Sequence, residues 1–189
     1  MNVARILYPV KVLGPGNRIG IWLAGCTRGC PGCSNPELWE QKPEYEIPVS
    51  RLVELIHSLS DKHQVDGFTI TGGEPLLQAD SLLALIDQIS DISTDVLVYT
   101  GYRLEELKDS SDTSVSTLLK FIAVLIDGEY VESLNDNSRL RGSSNQHIHI
   151  FKKQFGCKYR DYIENQPNQI QNFTTTDGIV SVGIHHKAF

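Results

Sequence analysis

Residues 67–75 have the sequence Gly67-Phe68-Thr69-Ile70-Thr71-Gly72-Gly73-Glu74-Pro75. A short run of aromatic and β-branched residues ends at two glycines, which is typical of a strand followed by a tight turn. Proline can begin the next helix, because it lacks an N–H group that would be unpaired there. The following apolar residues repeat at helical spacing, at Leu82, Leu85, Ile86 and Ile89. This stretch therefore predicts a strand–turn–helix unit.

The same alternation of strands and helices extends along the chain in both directions. A second amphipathic helix is predicted around Leu52, Leu55, Ile56 and Leu59, with Ser50 as its N-cap. Alternating strands and helices predict an α/β fold with a mostly parallel sheet. The predicted strands are Arg18–Leu23, Gly67–Thr71, Val96–Thr100, Phe121–Ile126, His147–Phe151 and Ile179–Ile184. The polar stretches Asp109–Ser116, Ser133–Asn145 and Glu164–Asp177 are predicted to be loops.

The composition is that of an ordinary globular chain. Its 189 residues suggest one domain, and its 40% apolar and 21% charged residues exclude a collagen-like or mainly disordered chain. The net charge of −6 argues against a nucleic-acid-binding face, which is usually basic. No apolar run approaches the roughly 20 residues of a membrane span, and residues 1–9 do not resemble a secretory signal. We expect a cytoplasmic protein with neither nucleic acid nor membrane as a partner.

The cysteines give the strongest chemical signal. Cys26, Cys30 and Cys33 form a CxxxCxxC motif, and Cys157 is remote. In a reducing compartment such clustering favours a metal site over disulfides. Three local thiolates suit a four-iron cluster that leaves one iron open to a further ligand. A structural zinc ion is the alternative, if His57, His63 or Cys157 supplies a fourth ligand after folding.

Other unusual segments follow the predicted strands. The carboxyl ends of parallel strands meet at one edge of a sheet, so loops that follow these strands should lie together there. The glycine pair of Gly72–Pro75 would let backbone atoms approach a small ligand, although a plain strand-to-helix turn is the alternative. The segments expected at this edge are Cys26–Cys33, Gly72–Pro75, Gly101–Tyr102 and Asp127–Gly128.

Together, the cysteine motif and the Gly-Gly-Glu-Pro turn resemble the radical S-adenosylmethionine (SAM) superfamily. Gly14–Arg18 and Cys33–Trp39 are similar to segments of its glycyl radical enzyme activases. Three further segments resemble one branch, the anaerobic ribonucleotide reductase activating proteins, namely Tyr99–Tyr102, Ile126–Tyr130 and Arg141–Gln146. The resemblance covers roughly the first 150 residues. Gly32 and Ser34 depart from it, because both positions are often aromatic across the superfamily.

The resemblance implies a fold and two cofactors. The fold would be a partial (βα) barrel of about six strands, with residues 1–152 as the core domain and 153–189 as a C-terminal extension packed on it. Cys26, Cys30 and Cys33 would bind a [4Fe–4S] cluster. SAM would be bound by the segments that match the family, at Gly72, Gly73, Glu74, Gly101, Tyr102 and Asp127.

The resemblance also implies a reaction. The enzyme would cleave SAM reductively to a 5′-deoxyadenosyl radical and install a glycyl radical on an anaerobic ribonucleotide reductase. A flavodoxin- or ferredoxin-like protein would donate the electron. One alternative is a small radical SAM enzyme that acts on another protein, peptide or small molecule. A different class, a non-catalytic protein that carries an iron–sulfur cluster or zinc, would explain the cysteines but not the turn at Gly72–Pro75.

Overall fold

The computed structural model of the chain describes residues 1–176 and 178–185, so the end of the predicted extension, with His186, lies outside the described residues. Eight strands and five α-helices are described in these ranges. The strands are β1 (Val3–Val10), β2 (Arg18–Leu23), β3 (Gly67–Gly72), β4 (Val96–Tyr99), β5 (Val124–Asp127), β6 (His147–Ile150), β7 (Gln171–Thr175) and β8 (Gly178–Val182). The helices are α1 (Val49–Ser60), α2 (Ala79–Gln88), α3 (Leu104–Lys108), α4 (Thr113–Phe121) and α5 (Gly156–Glu164).

The predicted mixed α/β architecture is confirmed. Strands β1 to β6 form one sheet in chain order, and neighbouring strands from β2 to β5 pair in parallel. The outer strands β1 and β6 pair antiparallel with β2 and β5. In the parallel register Leu23 at the end of β2 lies beside Gly72 at the end of β3. The loops that leave these strands therefore start side by side.

Apolar residues cover both faces of the sheet. One face packs against α1, α2 and α4 through residues such as Ile21, Ile70 and Leu125, all fully buried. On the other face Val124 and Ile126 of β5 pack with residues of α5. Strand β5 is thus buried on both sides, which explains its continuous apolar sequence. None of the helices in 1–176 and 178–185 has the length and hydropathy to cross a bilayer.

Several predicted boundaries are wrong. Helix α4 begins at Thr113, inside the predicted loop Asp109–Ser116, because the Asp112 carboxylate accepts a hydrogen bond from the Ser114 N–H and caps the helix. This helix continues to Phe121, so the next strand starts at Val124 and not at Phe121. Helix α1 begins at Val49 after Pro48, so Ser50 is inside the helix and is not its N-cap.

Two strands differ from the prediction in their placement. Strand β1 was not predicted, although it supplies one edge of the six-stranded sheet. The predicted strand Ile179–Ile184 corresponds to β8, which pairs only with β7 in a separate two-stranded sheet. Its partner β7 lies within the predicted loop Glu164–Asp177. The main sheet has six strands, as predicted, but it contains β1 in place of the predicted strand Ile179–Ile184.

Helix α5 attaches the residues after β6 to the core. Tyr159 and Tyr162, both buried, lie on its inner side. The Tyr159 hydroxyl donates to Asp95 Oδ1 at 2.7 Å, and the Tyr162 hydroxyl donates to the Lys11 carbonyl at 3.0 Å. These bonds connect α5 to two distant parts of the chain.

Candidate cluster site

The predicted segments meet in one pocket at the carboxyl edge of the parallel strands. All three cysteines of the motif contribute to its wall, together with Gly72, Gly73, Glu74, Gly101 and Gly128. Apolar and aromatic residues complete the inner wall, among them Leu13, Trp22 and Tyr99. The structure therefore brings together residues that are about one hundred positions apart in the sequence.

The cysteine loop leaves β2 as a compact turn. Gly29 and Gly32 both have left-handed backbones, with φ angles of 60° and 75°, and the Cys33 N–H donates to the Cys30 carbonyl at 3.1 Å. Burial is the largest cause that raises the pKa of the Cys30 thiol, and repulsion from Cys33 adds to it. Cys157 lies on α5 and is exposed.

The three thiols suit a cluster better than a single ion. Within residues 1–176 and 178–185, no three His, Cys, Asp or Glu side chains are gathered closely enough to hold a metal ion. A [4Fe–4S] cluster takes one thiolate on each liganded iron, so its ligands stand farther apart than those around one ion. Three cysteines around one cavity fit that donor set.

The glycine pair lets the loop after β3 contact the cysteine loop directly. The Gly73 N–H donates to the Leu23 carbonyl at 2.7 Å, and the Glu74 N–H donates to the Gly25 carbonyl at 2.8 Å. A Cβ atom on Gly73 would lie 2.4 Å from the Gly25 carbonyl oxygen. The sequence predicts a close approach of backbone to a ligand here, and the structure shows a close approach to the chain's own cluster loop.

Glu74 connects the same loop to the one after β4. Its side chain is buried, and its carboxylate accepts hydrogen bonds from the Leu76 N–H, the Thr100 hydroxyl and the Gly101 N–H. Burial is the largest influence and raises the pKa of the Glu74 carboxyl, while the three hydrogen bonds favour the ionised form. Glu74 lines the pocket, but its carboxylate is already engaged by the protein.

Arg28 holds the cysteine loop against α3. Its guanidinium lies 4.2 Å from the centre of the Tyr102 ring, and Nη2 lies 3.6 Å from Glu106 Oε2. Gly101 sits directly beside it, since a Cβ there would lie 3.2 Å from Arg28 Cγ. Arg28 and Gly101 line the pocket. Tyr102 is not among the described lining residues, and its ring lies under the Arg28 guanidinium. Tyr102 therefore borders the site through Arg28.

Asp127 lies at the end of β5, and its carboxylate is bonded to backbone groups of two neighbouring segments. Its buried carboxylate accepts hydrogen bonds from the N–H groups of Leu104 and His147, at 2.7 and 3.2 Å. His149 Nε2 lies 3.2 Å from the same carboxylate. Among the described residues that line the pocket, the strand end contributes Gly128 and not Asp127. Asp127 positions the start of α3 beside the site.

The pocket also has walls that sequence reasoning missed. Gly142 and Gln146 belong to the segment Arg141–Gln146, which the sequence identifies only by a resemblance to one branch of the family, and both line the pocket. Gln146 Oε1 accepts from the Gly142 N–H at 2.7 Å, while its Nε2 donates to the Gly128 carbonyl. A further wall comes from residues 181–185 at the end of the C-terminal hairpin. Neither motif nor spacing pointed to residues 181–185.

Comparison with known proteins gives consistent matches. A family model described as a 4Fe-4S single cluster domain matches residues 12–149. The chain is 35% identical over 152 residues to an anaerobic ribonucleoside-triphosphate reductase-activating protein of Haemophilus influenzae, covering 77% of this chain and 96% of that one. Proteins of the same name from Escherichia coli K12 and Enterobacteria phage T4 are 34% and 32% identical, over 75% and 78% of this chain and 94% and 93% of theirs.

The matched region contains the whole cysteine motif and the loops that surround it. The family model spans strands β2 to β5 and most of β6, so it includes the carboxyl edge where the pocket lies. The chain belongs to the 4Fe-4S single cluster domain family and, within it, to the anaerobic ribonucleoside-triphosphate reductase-activating proteins.

Proposed function

We propose that this chain is a radical SAM enzyme that activates an anaerobic ribonucleotide reductase by installing a glycyl radical on it. The observation that carries the proposal is the shared pocket of Cys26, Cys30 and Cys33 with the glycine-rich turn after β3. The names of the relatives supply the partner. We further propose that the sheet is the partial barrel of the radical SAM fold.

The cofactors supply the difficult chemistry. When bound, the [4Fe–4S] cluster and SAM would supply the one-electron radical chemistry that removes a hydrogen atom from a glycine Cα of the partner. The chain's own residues hold and shield these groups. Cys26, Cys30 and Cys33 would ligate three irons, and the backbone of Gly72 and Gly73 would border the methionine end of SAM.

The remaining predicted residues would act as supports. Glu74 would fix the turn after β4 through its bond to Gly101, so that both loops present backbone atoms to SAM. Tyr102 would support the pocket wall through Arg28. Asp127 would hold the start of α3. Buried Trp22 and Leu13 would limit the access of water to the site.

Three wider assignments belong to the same proposal. Residues 1–152 would form the catalytic core and 153–189 an extension packed on it, as the buried tyrosines of α5 suggest. A flavodoxin- or ferredoxin-like protein would donate the electron. The cytoplasm would be the compartment, because the thiols must stay reduced before they bind iron.

Anaerobic reconstitution tests the proposal. We expect about four irons per chain, and 5′-deoxyadenosine after addition of dithionite and SAM. Cys30→Ala should abolish the nucleoside, whereas Cys157→Ala should retain it because Cys157 is exposed on α5. Addition of the reductase should produce the electron paramagnetic resonance doublet of a glycyl radical.

The same experiment separates the alternatives. SAM cleavage without a doublet would favour an enzyme that acts on another protein, peptide or small molecule. One zinc per chain with no labile sulfide would contradict the radical SAM assignment and favour a non-catalytic binding protein.

A further inference from the structure

The C-terminal hairpin forms one wall of the candidate cluster site. Ser181, Val182, Gly183, Ile184 and His185 line the same pocket as the three cysteines. They lie beyond residue 149, where the match to the family model ends. The chain spans 93–96% of its relatives, yet they match only 75–78% of it, so this chain carries a segment that those relatives do not match.

Two kinds of contact hold this wall in place. Val182, only 3% exposed, packs in an apolar cluster with Trp22 and Leu38, and Ile184 packs against the same cluster. The end of the chain is also held by two side-chain amides. Asn135 Nδ2 donates to the His185 carbonyl at 2.7 Å, and Asn168 Nδ2 donates to the Ile184 carbonyl at 3.0 Å.

This attachment is weak compared with that of the main sheet. Strands β7 and β8 pair only with each other, and an isolated two-stranded sheet is marginally stable. Ile179 of β8 is 73% exposed. Elements with few buried contacts and exposed backbone bonds open at a small fraction of the free energy of global unfolding. The hairpin therefore has the properties of an element that can leave the pocket while the core stays folded.

Under the proposed function, a glycine of the partner must reach the cavity that this wall borders. With the hairpin in place the cavity measures about 200 Å³, below the roughly 300–1,000 Å³ of typical ligand sites. The wall presents a short segment with a glycine, Val182-Gly183-Ile184, to the cavity, and this glycine has a φ angle of 139°. A glycine-bearing segment of a partner would compete with this wall for space at the cavity.

We propose that residues 181–185 are a displaceable lid over the cluster site, which the glycine-bearing segment of the partner reductase replaces when it docks. The identity of the partner rests on the proposed function, but the existence of the lid does not. Docking and lid opening are then coupled. A polypeptide that cannot displace the hairpin cannot reach the site and does not react there.

Trp22 reports on the lid in the metal-free, full-length protein. It is 3% exposed and packs in the same cluster as Val182, so lid opening should expose it. A Trp39→Phe background leaves Trp22 as the single tryptophan, because the chain has two. Acrylamide quenching of its fluorescence then measures how often the lid opens.

Two substitutions should open the lid. Gly183→Ala adds a Cβ 2.6 Å from the Gln169 carbonyl oxygen in a backbone conformation that alanine disfavours, so quenching should rise several-fold. Asn168→Ala removes two hydrogen bonds, one to Asn137 Oδ1 and one to the Ile184 carbonyl of the lid. Loss of the bond to Ile184 should raise the opening equilibrium about fivefold. Gly178→Ala is the matched control, because its φ is 132° but a Cβ would contact nothing within 4 Å. Because alanine is strained at this φ as well, the control measures backbone strain alone, and quenching should rise less than in Gly183→Ala.

The result that would overturn the lid is unchanged quenching of Trp22 in both Gly183→Ala and Asn168→Ala. Asn168→Ala keeps the test valid if Gly183→Ala fails to fold, since it only shortens a side chain. Because no cluster is needed, these outcomes are independent of whether the loaded enzyme cleaves SAM.

Hydrogen exchange tests the coupling to the partner. With the reconstituted enzyme, addition of the reductase should speed exchange of the amides in Gly178–Val182. Unchanged protection of this strand in a complex that still forms the glycyl radical would contradict displacement. Failure to cleave SAM at all would instead contradict the proposed function and leave the quenching result standing.

Discussion

Glu74 Oε2 accepts a hydrogen bond from the Gly101 N–H at 2.8 Å, and this bond joins the loops that follow β3 and β4. The other carboxylate oxygen accepts from the Thr100 hydroxyl and the Leu76 N–H, at 2.8 and 3.0 Å. One buried side chain thus satisfies three donors at the carboxyl edge of the sheet. The glutamate of the Gly-Gly-Glu-Pro turn acts here as a brace between two walls of the site.

Glu74→Gln should weaken this brace without changing its size. The amide oxygen can replace one carboxylate oxygen, but the amide nitrogen must then face a backbone donor, either the Gly101 N–H or the Leu76 N–H. We expect a loss of about 1–3 kcal/mol in the free energy of unfolding, together with weaker SAM binding. Urea denaturation and isothermal titration measure the two effects. Glu105→Gln is the control. Because Glu105 is exposed on α3, this change should alter stability by less than about 0.5 kcal/mol. Equal stability of both variants would refute the role of the brace.

The burial of Glu74 also predicts a pH dependence. Its pKa is raised above the ordinary 4.5, with burial as the largest cause. A carboxyl with a raised folded-state pKa adds stability that is complete below the unfolded pKa and is lost as pH rises through the folded-state pKa. The wild-type protein should therefore lose stability relative to Glu74→Gln as pH rises from about 4.5. Asp66 and Asp136, whose pKa values are lowered, contribute with the opposite sign but cancel in this difference. A pH-independent difference between the two proteins would contradict the prediction.

Two glycines of the site should respond differently to alanine. A Cβ on Gly73 would press against the Gly25 carbonyl oxygen, next to Cys26, and against the Leu38 carbonyl. Gly29 has nothing within 4 Å of its Cβ position and needs only a left-handed backbone, at a cost of about 1–2 kcal/mol. We expect Gly73→Ala to lower the iron retained after anaerobic reconstitution, while Gly29→Ala retains it. Equal iron content in both variants would show that the contact between the loops does not position the thiols.

The sequence predicts which loops lie together at the pocket, because each of these loops follows a predicted parallel strand. The cysteine spacing and the glycine pair follow predicted parallel strands, and parallel strands place their carboxyl ends at one edge. Strand β1 could not be recognised in the same way, because its residues are only partly buried and it includes Arg5 and Pro9. Its strand character comes from antiparallel pairing with β2.

The contribution of the C-terminal hairpin to the pocket could not be predicted from the sequence either. Strand β7, Gln171–Thr175, is mostly polar, and its conformation depends on its partner β8. No motif indicates that residues 181–185 return to the cysteine pocket, since tertiary packing of Val182 on Trp22 decides it. The carboxylate of Asp127 could be placed at a strand end, but only the structure shows which groups it accepts from.

A buried ion pair lies at the amino ends of the parallel strands, away from the pocket. Arg18 and Asp95 are both fully buried, with Nη1 and Oδ2 3.1 Å apart. Arg18 Nε also donates to the Thr69 hydroxyl at 2.7 Å. Arg18→Met would leave the carboxylate with Lys158 Nζ, 3.0 Å from Oδ2, as its remaining cation. We therefore expect a loss of about 3 kcal/mol in the free energy of unfolding, at the lower end for a broken buried pair. Chemical denaturation at neutral pH measures it.

The same carboxylate connects the core to α5 through Tyr159. Tyr159→Phe removes a hydroxyl that donates to Asp95 Oδ1 at 2.7 Å, which should cost about 1.5–3 kcal/mol because the acceptor is charged. Tyr8→Phe is the matched control, since its hydroxyl donates to the Gln64 carbonyl at an exposed site and its loss should cost less than about 0.5 kcal/mol. Equal stability of the two variants would mean that α5 is not part of the cooperative unit. A single unfolding transition that shifts in Tyr159→Phe, but not in Tyr8→Phe, would show that residues of the extension fold together with the core.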